Sequence, residues 1–204
     1  MANEIKVGSD YQINWNTPEI RDDIFGFWDK FIGPGATTGE NVLILIPGII
    51  AGFFEVLYAY YKNLQWGCYQ YILGFLITFD IVSGAIANST NVLKRWYHRE
   101  GRKFKDHLIF ALVHIYPILL GWLFKNNDWI YGITLYSYFV VSSIIVLLVP
   151  LYMKRPTATL LTIISIFISF YVLSPVKGFE WLYTVLFIKI INGNLIREEP
   201  YRPL

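Results

Sequence analysis

Six apolar stretches meet or nearly meet the length needed to cross a lipid bilayer, and this restricts the fold more than any other feature of the chain. Crossing about 30 Å of hydrocarbon takes roughly 20 mostly apolar residues, because a helix satisfies its backbone polar groups internally. The stretches run from about Leu43 to Tyr61, Trp66 to Ala87, His107 to Phe124, Trp129 to Met153, Pro156 to Leu173 and Phe179 to Asn192. The sixth is the shortest and contains Lys189. The expected fold is therefore an all-α integral membrane protein with six transmembrane helices in one bundle. Residues 1–42 form an N-terminal segment, 43–193 the membrane domain and 194–204 a tail.

Charge orients this arrangement. With six alternating crossings, 13 of the 17 lysines and arginines fall on the side shared by both termini. Lys62, Lys125 and Lys177 fall on the other side, and Lys189 lies within a span. Lys and Arg are enriched on cytoplasmic faces, so both termini are expected in the cytoplasm and the chain in the cytoplasmic (plasma) membrane. Ile24, Phe25, Phe27, Trp28, Phe31 and Ile32 recur at helical spacing among Asp22, Asp23, Asp29 and Lys30. They predict a short amphipathic helix in the membrane interface, stopped at Gly33-Pro34-Gly35.

Composition removes other classes. Only 16% of residues are charged and the net charge is +2, which argues against intrinsic disorder and against nucleic-acid binding. Cys68 stands alone, so there is neither an internal disulfide nor a cysteine zinc site.

Ionisable groups inside a membrane are costly, and each one asks for a reason. Glu55, Asp80, His114 and Lys189 are such groups. Asp80, Gly84, Asn88 and Asn91 are spaced along one helical face, and His107 and His114 are about two turns apart on the next span. Antiparallel neighbours would set Asp80 level with His114, and Asn88 level with His107. An Asp beside a His in a low-dielectric site handles protons, which points to Asp80, His114, His107 and Asn88 as catalytic candidates. The same Asp80 and His114, joined by Glu55, would suit a divalent metal such as zinc, iron or manganese. A mutually satisfied pair that only fixes helix packing is the competing reading.

The stretch from Asn91 to Lys103 is basic and aromatic together. Arg95, Arg99, Arg102 and His98 would receive an anionic headgroup there, beyond the ordinary role of such loops in setting topology. Lys189 is expected to snorkel, or to neutralise Asp80 if the sixth span packs against it. The leading expectation is a small membrane-embedded enzyme that acts on a lipid or other apolar substrate at the cytoplasmic leaflet, with membrane lipids as its partners. A proton-coupled transporter or channel lined by Asp80, His114 and Glu55 is the alternative, followed by a non-catalytic membrane subunit.

Overall fold

The computed structural model describes residues 11–203. In order, the elements are β1 (Tyr11–Ile13), α1 (Gly26–Ile32), α2 (Thr38–Tyr61), α3 (Cys68–Ser89), α4 (Asn91–Tyr97), α5 (Phe104–Leu112), α6 (Tyr116–Leu123), α7 (Trp129–Leu148), α8 (Leu151–Phe167), α9 (Leu182–Phe187) and β2 (Tyr201–Pro203). Wider π turns extend α8 to Val172 and α9 to Asn194. Five helical stretches are long and apolar enough to cross a membrane: Thr38–Tyr61, Cys68–Ser89, Phe104–Leu123, Trp129–Leu148 and Leu151–Val172.

Local chemistry moves several boundaries away from those expected. α2 begins at a reciprocal cap, with Glu40 N donating to Thr37 Oγ1 at 3.1 Å and Thr37 N donating to Glu40 Oε2 at 2.8 Å. That polar first turn adds residues that hydropathy alone omits. α3 stops at Ser89 because Thr90 leaves the helical conformation and caps the next helix, accepting from Leu93 N at 3.3 Å. Half of the basic loop is therefore α4, and Asn91 leaves the polar face of α3. The third stretch breaks over residues 113–115, and Pro117 lies in the first turn of α6, where no N–H is needed. Pro150 ends the fourth stretch at Leu148, so Met153 and Pro156 belong to α8.

The centre of the bundle is α9 with its π continuation. Leu182, Leu186, Phe187, Ile190 and Ile191 have no accessible surface. Residues 182–194 rise only about 20 Å, short of a full crossing, so this segment is sheathed by its neighbours. α2 lies along α3 on the flank. Gly48 sits directly against Ser83, and a Cβ on Gly52 would come within 2.8 Å of the Phe75 ring, so small residues bring the two helices close. The far face of α2 exposes Ile46, Ile50 and Phe54.

α1 is tied down by polar contacts on its inner side. Asp29 is buried and accepts from Arg21 Nε at 2.8 Å and from a second guanidinium nitrogen at 2.6 Å. Trp28 Nε1 donates to Asn41 Oδ1 at 2.7 Å, and Trp96 Nε1 donates to the Lys30 carbonyl at 3.2 Å. Phe27 and Phe31 face outward. Gly33, at φ +96°, follows and packs on α4, where a Cβ would come within 3.0 Å of Trp96. β1 and β2 pair antiparallel, Gln12 opposite Arg202, which places the two described ends of the chain at one face.

Candidate functional site

Between α1, α2, α3, α4 and the α5–α6 break lies a cavity of about 290 Å³. Its walls are apolar, with Ile32 from α1, Leu45 from α2, Phe79 from α3, Tyr97 from α4 and Phe110 from α5. Asp80, His114, Tyr116 and Lys189 gather at its polar end. Asp80 lies nine residues before the end of α3, roughly 13 Å along the helix axis.

Lys189 comes from the buried central helix and forms an ion pair with Asp80 Oδ2. Its ammonium also donates to the Asp80 carbonyl at 3.2 Å. Tyr116 Oη donates to the same carboxylate oxygen at 2.6 Å. The Lys189 side chain is 4% exposed and that of Asp80 34%, so the carboxylate is the member that meets the cavity. Gly84, one turn from Asp80, admits the lysine: a Cβ there would collide with Lys189 Cε. Lys189 thus neutralises Asp80 rather than snorkelling.

His114 sits in the α5–α6 break and lines the same cavity. Its Nδ1 lies 2.7 Å from the Phe110 carbonyl. A carbonyl can only accept, so Nδ1 carries the proton and Nε2 is the basic nitrogen of the neutral ring. Asp80 and Lys189 are both within electrostatic reach of His114. The hydrogen bond to Asp80 is made by Tyr116, which sequence reasoning did not single out. Pro117 was the available signal, because it marks the break that brings Tyr116 inward.

A second polar layer closes over the end of α9. In π turns the carbonyls fall out of the α pattern, as with Leu195 N donating to Ile190 O at 2.9 Å. Side chains collect the rest. Asn88 Nδ2 donates to the Lys189 carbonyl at 2.8 Å, and His98 Nε2 to the Asn194 carbonyl at 2.8 Å. Lys94 donates to the Gly193 and Ile196 carbonyls and pairs with Glu198 at 3.0 Å. Burial pulls the Lys94 ammonium below its usual pKa, against the pull of Glu198. His107 stacks on His98 with ring centres 4.6 Å apart. Burial, with His107, Lys94 and Arg197 close by, pushes His98 down to about 3. Asn88 and His107 thus belong to one layer, but it is organised around Asn194 and Lys94, neither of which was anticipated.

The four headgroup candidates separate. Arg95 is buried, donates to the Pro34 carbonyl at 3.3 Å and packs on Gly35. It fastens the segment after α1 and is withdrawn from any headgroup. His98 is committed to Asn194. Arg99 lies 3.5 Å over the Trp96 ring, and Arg102 pairs with Asp106 at 3.4 Å.

The expected metal set does not assemble. Gly48 opposite Ser83 and Gly52 opposite Phe75 fix the stagger of α2 on α3, which sets Glu55 roughly 10 Å along the axis from Asp80. Glu55 accepts instead from Trp181 Nε1 at 3.4 Å and lies against Gly178. Among the described residues, no group of three or more His, Cys, Asp or Glu side chains stands close enough to hold a metal ion. Lys189 already supplies the positive charge beside Asp80. Comparison of the chain with protein-family models, curated proteins and solved structures gives no match.

Proposed function

We propose that this chain is a small membrane-embedded enzyme that moves a proton on an amphiphile drawn from the bilayer. The observation that carries this reading is the composition of the cavity: apolar walls end in a buried Lys189–Asp80–Tyr116 constellation beside a histidine of defined tautomer. His114 Nε2 would accept a proton from the substrate or from water bound beside it. Asp80, the member of the pair that meets the cavity, would accept a hydrogen bond from a substrate hydroxyl or ammonium and so orient it, while the Lys189 ammonium behind it balances its charge. Tyr116 keeps the carboxylate aligned. The proton on His114 returns to the product, so the site ends the cycle unchanged.

Six crossings with both termini in the cytoplasm complete the reading. The β1–β2 pairing supports an even number of crossings, because it holds the two ends together. Leu182–Asn194 then serves as a short sixth element. The outward Phe27 and Phe31 of α1, over a polar inner side, suit a helix lying in the interface and covering the cavity.

The test is isotopic. Purified protein and a bacterial polar lipid extract are incubated in ²H₂¹⁸O buffer, and the lipids are followed by mass spectrometry. Wild type should introduce a mass label or a new lipid product that His114→Gln fails to introduce while unfolding at the wild-type temperature. Identical lipid profiles for wild type, His114→Gln and a protein-free control would overturn the enzymatic reading.

A further inference from the structure

On the face that carries both described ends of the chain, a concavity of about 620 Å³ gathers arginines from two separate stretches. Arg99 and Arg102 come from the turn between α4 and α5, and Arg197 comes from the tail that follows α9. Glu100 is the one carboxylate among its lining residues, so three guanidiniums outweigh a single acid.

Each guanidinium is braced. Arg99 lies over Trp96 at 3.5 Å, and Arg197 lies over Trp15 at 4.3 Å. Stacking covers a face of a guanidinium and leaves its N–H edge to donate, although Arg99 already spends one terminal nitrogen on the Trp96 carbonyl. Arg102 is steadied by Asp106. His98 also lines the concavity, held neutral and bonded to Asn194. Pre-positioned forks lose little entropy on binding a tetrahedral oxyanion and can offer it paired N–H bonds.

A shallow hollow beside it shares Arg102 with this concavity, and Tyr97, Phe110 and Val113 with the apolar cavity. The basic concavity, the hollow and the apolar cavity are thus neighbours along one strip of the molecule.

We infer that Arg99, Arg102 and Arg197 form a phosphate-binding site, in which the tail residue Arg197 completes a cup that the α4–α5 turn begins. The site goes beyond the acid–base reading and is testable without turnover. Its ligand is a phosphomonoester, carried by a lipid headgroup or present as free phosphate.

The full-length protein in dodecyl maltoside is titrated with dioleoyl phosphatidic acid, with dioleoyl phosphatidylcholine and with inorganic phosphate, and binding is read by native mass spectrometry and thermal shift. Saturable binding of phosphatidic acid without competition from phosphate supports the site and assigns a lipid source. Binding of inorganic phosphate that competes with phosphatidic acid supports the site and assigns free phosphate. In either case Arg197→Gln and Arg102→Gln should each weaken binding about tenfold or more, the loss of one charge-assisted contact, and Lys30→Gln should leave it unchanged. Two arginine variants keep the test available if one fails to fold. Failure of phosphatidic acid and phosphate to bind wild type overturns the inference. So does wild-type affinity in folded arginine variants, or an equal loss in Lys30→Gln, which would indicate diffuse attraction. His114→Gln should bind phosphate like wild type, so failure of the acid–base reading is distinguished from failure of this one.

Discussion

Breaking the Lys189–Asp80 pair from its two sides should cost unequal amounts. Asp80→Leu leaves an ammonium whose side chain is 4% exposed without its carboxylate. Stranding a buried charge costs about 3–5 kcal/mol. Lys189→Met leaves Asp80 with the Tyr116 hydroxyl and a side chain 34% exposed. That carboxylate keeps a donor and some solvation, so its cost is about 1–2 kcal/mol. The double variant has no stranded charge and should resemble Lys189→Met, giving a coupling as large as the Asp80→Leu cost, about 3–5 kcal/mol. For a chain of this size each kcal/mol moves the midpoint by roughly 2–4 °C. Thermal unfolding in dodecyl maltoside, followed by the fluorescence of the seven tryptophans at one scan rate, should show Asp80→Leu lowered by roughly 10 °C. Lys189→Met and the double variant should be lowered by roughly 4 °C. Equal losses in the two single variants, or a double variant as low as their sum, would refute the reasoning.

Two further outcomes follow from the second polar layer and from the paired ends. The fold holds His98 neutral down to about pH 3, whereas the unfolded chain takes up the proton near pH 6.5. Stability therefore falls as pH drops through that interval, by about 2 kcal/mol at pH 5. His98→Gln retains a donor for the Asn194 carbonyl and should flatten the decline, which unfolding midpoints between pH 7 and 5 will record; an unchanged slope would rule out this histidine as its source. Reporter tags at the N- and C-termini should show the same accessibility to an externally added protease, because β1 and β2 lie side by side. Opposite accessibility would reject an even number of crossings.

The spanning helices were legible because hydropathy over 20 residues is a local property. Their ends were not, because they depend on single residues whose effect is conformational. Thr90 divides α3 from α4, and Pro150 divides α7 from α8. Asp80 and His114 stood out from the cost of ionisable groups in a membrane, and both line one cavity. Their actual hydrogen-bond partners were hidden. Lys189 reaches Asp80 because the central helix packs on α3 at Gly84, a tertiary fact with no sequence period behind it. Lys94 read as an ordinary topogenic charge and Arg95 as a headgroup contact, and folding buries both against backbone carbonyls. Glu55 carried the right chemistry for a metal ligand at the wrong height on α2. The arginine cup escaped notice because Arg197 is about a hundred residues from its companions and arrives through the path of the tail.

Photo-crosslinking tests the central claim, that an amphiphile occupies the cavity with its polar end at Lys189 and Asp80. The protein is reconstituted with a phospholipid bearing a diazirine on its acyl chain, irradiated, digested and mapped by mass spectrometry. The account predicts labels on Ile32, Phe79 and Phe110, on the cavity walls, in addition to the outward face of α2. Labels confined to outward residues such as Ile50 and Phe54, with none on the cavity walls, would contradict it.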